Sequence, residues 1–467
     1  MQLTPHQKIA FQAITHFLQQ RSEQIFMLKG YAGSGKTTLV SCLVDWLEER
    51  SRPFQLLATT GRAAKVLQNK THRQAGTVHG CIYAFDEVSG KIAEGEQLQL
   101  SFGLRSSDLT EKELVFIIDE ASMITHEIAQ KNTHTARFGT GSLLNDLLTY
   151  ADGRQIIFIG DPCQLPPIAD NPQSSALNPA ILRAACGKTA LDIELTEIIR
   201  QGAGSEILDL AGRFREDIVR QSYIKWAKIQ EPIGQEVTLL RDHHKLMDQY
   251  IRHVKKHGFR DAILIGYANW HVATLNRKAR ELLYSSWELQ NNELLMVVQN
   301  SYNVNLANGD QVILEEAEFA GKRAGFTFLR VKVRALHNDQ LYETLLIRDL
   351  LYNKNAGLAS EEVQRLLIDF DQRMRKKGVR RKSDAYKEAM RQDPWLNALR
   401  TKFGYAVTCH KSQGGEWATV FLNIHKSMYG SMASEQLYRW YYTALTRARD
   451  HLYVNDGWWV EGFNYRR

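Results

Sequence analysis

Cysteine is scarce and scattered in this chain. Its five residues, Cys42, Cys81, Cys163, Cys186 and Cys409, are odd in number and include no C-x-x-C pair, so reduced, mostly buried thiols are expected rather than a disulfide framework or a zinc site. Long apolar runs are missing too. No uninterrupted stretch could span a bilayer, and Met1-Gln2-Leu3-Thr4-Pro5-His6-Gln7 lacks the basic and apolar regions of a secretory leader, which predicts a cytoplasmic protein without a membrane partner. Nor is one sign of charge in large excess. Lys and Arg outnumber Asp and Glu by 59 to 52, giving a net charge of +7 and a pI near 9.0, which suits a nucleic-acid partner without requiring one. What is present is an ordinary globular composition, 44% hydrophobic and 24% charged. The 467 residues exceed what one core can organise and predict about three domains.

The stretch Gly30-Tyr31-Ala32-Gly33-Ser34-Gly35-Lys36-Thr37-Thr38 carries the most chemistry. It has the pattern G-x-x-x-x-G-K-[ST] and lies between the apolar run Ile25 to Leu28 and the helix-like segment Leu39 to Leu47. Strand, phosphate loop and helix in that order put backbone N–H groups around phosphates, the Lys36 ammonium on the β and γ oxygens and the Thr37 hydroxyl on Mg²⁺. The helix N-terminus adds its own partial positive charge. Nucleotide binding is therefore expected; the alternative is a glycine turn that merely starts a helix.

Upstream, Thr4 with Pro5 and Gln7 forms the pattern of a capping box, ahead of a helix whose apolar face carries Ile9, Ala10, Ala13, Ile14, Phe17 and Leu18. Downstream, Gln55 to Ala58 predicts a buried strand. Thr59, Thr60, Gly61 and Arg62 leave its end, where hydroxyls can donate to a phosphate or cap the next helix. His79 closes a short loop. Residues 82–112 then break the alternation and predict a small hairpin-bearing insertion, in which Phe85 or Phe102 stacks on a base or fills the hairpin's own small core. Leu114 to Ile118 is a continuous apolar run, as expected of a strand buried on both faces of a parallel sheet. It ends in Asp119-Glu120, where such sheets bind ligands; Asp119 can enter the Mg²⁺ shell and Glu120 can polarise the attacking water. Gln155 to Ile159 predicts another such strand, left by Gly160-Asp161-Pro162-Cys163-Gln164-Leu165-Pro166-Pro167. Two consecutive prolines fix that loop and let it offer the Gln164 amide to a γ-phosphate.

Composition shifts from Leu195 to Gln201, and a second α/β region follows, with Ala262 to Gly266 as its central strand and Asn269 to Arg280 as a helix. Beyond Tyr284, strand-like runs at 311–314, 326–333 and 341–347 predict a small antiparallel barrel. The polar helical region Glu361 to Arg400 holds Arg373, Arg375, Lys376, Lys377, Arg380, Arg381 and Lys382, either a solvated helix face or a contact with nucleic acid. The second region resumes with Thr408-Cys409-His410-Lys411-Ser412-Gln413-Gly414-Gly415-Glu416, and a helix over Leu437 to Arg449 brings in Arg447.

Taken in order from Leu3 to Arg449, these motifs resemble those of superfamily 1 helicases, most closely the branch containing the phage Dda helicase and the RecD-like proteins. The resemblance implies an α/β fold of two RecA-like domains with parallel sheets, at residues 1–190 and at 191–284 joined by 401–467. It implies ATP and Mg²⁺ in the cleft between them and an SH3-like module within 285–400; the basic segment 361–400 is longer than a bare module of that kind requires. It further implies that Gln7 reads the adenine edge, that Lys36 and Thr37 hold phosphate and Mg²⁺, and that Asp119 and Glu120 are the metal-shell carboxylate and the water-activating base. Gln164 would sense the γ-phosphate, and Arg200 and Arg447 would stabilise the transition state from the second domain. Gly30, Ala32, Gly33, Ser34, Gly35 and Thr38 would complete the nucleotide site, with Gly415 and Glu416 beside it. Thr59, Thr60, Gly61, Arg62, His79, Pro166, Asn269, Thr408, His410, Lys411 and Ser412 would line the strand path.

The expected activity is that of an ATP-dependent DNA helicase, a monomeric motor moving 5′ to 3′ on single-stranded DNA and at junctions with duplex. A translocase that acts on RNA or clears proteins from a strand, and an ATP-switched strand clamp, are the alternatives. Glu120 and the two arginines argue against the clamp, which needs no hydrolysis chemistry. For a P-loop kinase neither a lid nor an acceptor site is legible.

Overall fold

The computed structural model of the chain describes residues 3–89, 99–106, 113–128, 136–167, 174–199, 205–231, 234–284, 286–301, 303–381 and 383–462. The capping box is complete: Thr4 Oγ1 accepts from Gln7 N–H, Gln7 Oε1 accepts from Thr4 N–H, and the helix Pro5–Gln20 starts there. Its buried face, Ala10, Ile14, Phe17 and Leu18, packs on the first of two parallel sheets.

In chain order the first part of the molecule holds β1 (Ile25–Gly30), β2 (Phe54–Ala58), β3 (Ala75–Thr77), β4 (Tyr83–Ser89), β5 (Gln99–Leu104), β6 (Val115–Asp119), β7 (Ala136–Phe138), β8 (Ile156–Gly160) and β9 (Ala190–Leu195). Six of these form an all-parallel sheet in the order β3-β2-β6-β8-β1-β9. The apolar runs of β1, β6 and β8 are buried because helices cover both faces, one cluster around Phe116 and Phe158 and another around Phe26 and Leu43. Their carboxyl ends bring Gly30, Asp119 and Gly160 to one edge. One expectation is corrected. β9 pairs with β1 from Ala190 opposite Ile25 to Leu195 opposite Gly30, so the boundary placed at 190 falls inside the first sheet and moves beyond Leu195.

The second part holds β10 (Val237–Leu240), β11 (Ala262–Gly266), β12 (Leu294–Val297), β13 (Gln311–Arg323), β14 (Phe326–Ala335), β15 (Leu341–Ile347), β16 (Thr401–Phe403), β17 (Ala406–Thr408), β18 (Trp417–Leu422) and β19 (Ala448–Asn455). A parallel sheet in the order β10-β19-β18-β11-β17 builds the second domain. The helix Ser434–Leu445 buries Tyr438, Trp440, Tyr441 and Tyr442 against it.

Two insertions leave these sheets. In the first, the expected hairpin is β4 with β5, and β7 adds a third strand from outside residues 82–112. In the second, β15-β14-β13-β12-β16 is an antiparallel series, and Leu346 at its free edge bridges to Leu399, just ahead of β16, so the sheet curls into a small barrel. This barrel is not hung loosely on the second domain. Leu294, Val312, Val333 and Phe403 share one core with Tyr250, Leu264 and Leu275.

The basic segment turns out to be neutralised in part. The helices Ser360–Lys376 and Asp384–Gln392 pack on the barrel through Phe370, Met374 and Tyr386, while Arg375 and Arg381 bind the fully buried Asp371 and Arg373 binds Asp369 and Asp393. Three of its arginines therefore serve folding rather than a strand. Phe85 and Leu100 of the hairpin rest on this same core, so the two insertions touch.

Candidate nucleotide cleft and strand interface

Gly33 and Gly35 take φ of 82° and 79°, which only glycine adopts without strain, and so curl the chain into the helix Lys36–Glu48. Packing adds a second demand at Gly35, where a Cβ would lie 2.3 Å from Gln7 Nε2. That amide donates to the Ser34 and Gly35 carbonyls at 3.3 and 3.4 Å. Gln7 thus buttresses the loop and completes the cap at once; contact with an adenine would require it to exchange a partner. Lys36 Nζ donates to the Gly30 and Tyr31 carbonyls at 2.7 and 3.0 Å, which holds the ammonium at the loop.

This loop forms one wall of a 420 Å³ cleft lined also by Thr37, Thr38, Asp119, Glu120 and Gln164 from the first domain and by Gly414, Glu416 and Arg447 from the second. Asp119 Oδ1 accepts from Glu120 N–H at 2.9 Å, and Glu120 sits in the left-handed region at φ 55°. Burial raises both carboxyls; Asp119 pushes Glu120 up further, against the pull of Arg447 and Lys36. A base held near neutrality is suited to taking a proton from water. Gln164 is 5% exposed and its Oε1 has no hydrogen-bond partner, a buried acceptor at the cleft. Among the described residues no cluster of three His, Cys, Asp or Glu could hold a metal unaided. That donor set fits Mg²⁺, which is commonly bound by one or two protein oxygens with substrate phosphates and water supplying the rest; Thr37 and Asp119 are the residues that would hold it, neutralising phosphate charge.

The second domain reaches this cleft along one helix. Arg439, Tyr442 and Thr443 are spaced i, i+3 and i+4 and so share a face. Arg439 donates to the Pro162 and Gln164 carbonyls, and Thr443 Oγ1 accepts from Leu165 N–H at 3.0 Å. The Tyr442 hydroxyl accepts from Ala32 N–H at 2.9 Å and donates to Asp161 Oδ2 at 2.6 Å. Gln413 adds a bond to the Leu165 carbonyl at 2.8 Å. None of Arg439, Tyr442, Thr443, Gln413 or Asp161 was singled out from sequence, and the helix expected to run to Arg449 ends at Leu445, so that Arg447 lies just beyond it. Arg447 is buried, and its hydrogen bonds go to neutral oxygens of Thr443, Gly415 and Thr446. Arg200 lies outside the described residues; Ile199, just before it, donates its N–H to the Gly33 carbonyl at 2.9 Å.

The strand candidates divide. Thr60 Oγ1 accepts from Ala63 N–H and Thr408 Oγ1 from Lys411 N–H, so both hydroxyls cap helices, and Thr59 Oγ1 donates to the Glu120 carbonyl. Ser412 is fully buried with its hydroxyl on the Cys409 carbonyl, which removes it from any strand surface. Phe102 takes the second of its two expected places, in the insertion's own small core. Its ring stacks on Phe138 at 4.6 Å and meets Phe85 edge-on, because a three-stranded insertion has little other apolar surface to bury. His79 is exposed beside Tyr83 and Phe138. The Arg62 guanidinium stands 4.1 Å over Trp417, Gly61 meets Ala307 of the barrel, and Lys65 pairs with Asp310, so this helix already grips the second part of the chain. Burial pulls the His410 imidazole below its usual range, and the Pro166 backbone partly offsets it. Asn269, Thr408 and Lys411 share one further cavity.

Residues 2–234 match the family described as AAA domain, and residues 403–455 the UvrD-like helicase C-terminal domain. The ATP-dependent RecD2 DNA helicase of Deinococcus radiodurans is 24% identical over 445 residues, which cover 93% of this chain and 47% of that protein. The ATP-dependent DNA helicase Pif1 of a Psychrobacter species is 28% identical over 155 residues, 32% of this chain and 20% of that one. Among solved structures, Bacteroides Pif1 in complex with ADP-AlF3 and ssDNA aligns with a TM-score of 0.51 at 17% identity, covering 98% of this chain and 93% of that chain, a likeness of fold. The chain spans less than half the length of the RecD2 relative.

Proposed function

Because the chain belongs to the superfamily 1 helicases of the branch that holds the Dda, RecD-like and Pif1 proteins, we propose that it is an ATP-dependent DNA helicase that moves 5′ to 3′ on single-stranded DNA and opens duplexes. One observation supports this above the others: Lys36, Asp119, Glu120 and Gln164 from one domain and Arg447 from the other line a single cleft. Lys36 and the loop amides bind the phosphates of ATP, Thr37 and Asp119 would hold Mg²⁺, and Glu120 orients water for attack on the γ-phosphoryl group. Arg447 adds its charge from across the cleft, so turnover is fast only when the domains are together. Hydrolysis then alternates closure with opening, and unequal grip by the two domains converts that cycle into steps along a strand.

The test is unwinding of matched DNA duplexes carrying a 5′ or a 3′ tail, with Lys36→Ala as the blank and RNA-tailed duplexes in parallel. Strand-stimulated ATP hydrolysis with opening of the 5′-tailed DNA is expected. Activity confined to 3′ tails would refute the polarity, and hydrolysis without opening would leave a translocase.

A further inference from the structure

A cavity of 650 Å³, larger than the nucleotide cleft, opens between the second domain and the barrel. Its walls come from the helix Asn269–Leu283 and the segment 351–356, and Phe403 of β16 and Thr408 of β17 close it below. Five aromatic side chains line it, Trp270, Tyr284, Trp287, Tyr352 and Phe403. Trp270 and Trp287 are 53% and 69% exposed, although indoles are normally among the more buried side chains. Beside them Lys411 lines the same cavity, and its ammonium makes no ion pair among the described residues.

We propose that this cavity is a nucleobase pocket: one unpaired base of the bound strand turns into it and stacks on Trp287, with Trp270 as a second aromatic wall and Lys411 on the adjoining phosphate. The proposal rests on the strand-binding reading above and adds to it a place where the base, rather than the backbone, is held. Three properties point to a base. The volume falls within the roughly 300 to 1,000 Å³ of small-molecule pockets, enough for a planar heterocycle. The lining joins five flat rings, whose stacking tolerates any base, to cations, Arg277, Lys354, Lys402 and Lys411 among them, which suit the phosphates on either side of it. The pocket also adjoins Thr408 at the carboxyl end of a parallel strand, where such sheets place ligands. A base held there is shared by the second domain and the barrel.

The test compares oligothymidylate with an abasic oligonucleotide of equal length, binding measured by fluorescence anisotropy across a salt series. Both tryptophans are exposed, so Trp287→Ala and Trp270→Ala leave the fold intact, which circular dichroism checks. Trp287→Ala is expected to weaken oligothymidylate binding by roughly five- to a hundredfold while the abasic strand binds as before, with an unchanged salt slope. Trp287→Phe restores the preference for bases. Equal losses on both strands, or no loss on either, would overturn the pocket while leaving strand binding intact. A wild-type protein that binds neither strand would overturn the parent reading, and the pocket with it.

Discussion

Tyr442 holds two groups of the first domain with one hydroxyl, the Ala32 N–H of the phosphate loop and the Asp161 carboxylate that precedes Gln164. Tyr442→Phe keeps the ring and leaves the buried Asp161 carboxylate and the half-buried Ala32 N–H without it, at a cost of about 1 to 3 kcal/mol. If that contact positions the loop for chemistry, strand-stimulated turnover falls by about tenfold while the KM for ATP changes little. Steady-state hydrolysis with and without single strands decides it; unchanged turnover would make Tyr442 a packing residue. Sequence reading could not reach this contact, since the two residues stand 410 positions apart and nothing local in either marks the other. Lys36, Asp119 and Glu120 were legible because each ends or follows an apolar run whose meaning is local. Phe102 and Ser412 could not be placed from residue type alone, because one is half-buried against Phe138 and the other fully buried, and only packing decides which side chains are offered to a ligand.

Among elements, strands announced themselves in proportion to their length and apolarity. β6 and β8 were plain from continuous runs, whereas β7 has three residues, too few for any period, and exists only because Leu100 to Phe102 pair with it. β9 lies at the sheet's edge with only Leu195 buried and Leu191 and Asp192 exposed, which hid its membership of the first domain. The helix Ser360–Lys376 read as basic because its neutralising partner, Asp371, is buried within it. Asp371→Asn leaves Arg375 and Arg381 without their shared carboxylate and is expected to destabilise this helical pair on the order of 3 kcal/mol. Limited proteolysis should then cut within residues 360–392 faster than in the wild type, with ATP hydrolysis retained. Unaltered cleavage would mean that these arginines are not structural.

At the scale of the whole molecule, Glu120 and Arg447, the proposed water-activating carboxylate and finger-like arginine, come from different domains, one following β6 of the first sheet and the other preceding β19 of the second. Arg447→Ala is expected to lower turnover on the order of a thousandfold with nucleotide binding largely kept, as a fluorescent ATP analogue would report. Near-normal turnover would show that closure does not complete the site. The barrel's shared core with the second domain carries a mechanical consequence. Tyr250 and Leu264 cannot move without Val312 and Val333 following, so the barrel is a rigid extension of the sheet that bears Arg447. On the proposed cycle, a small rotation at the cleft would be magnified at the barrel's far end in proportion to its distance from the pivot, and the contacts of Lys65 with Asp310 and of Phe85 with the barrel's helices are the ones such a swing would have to break.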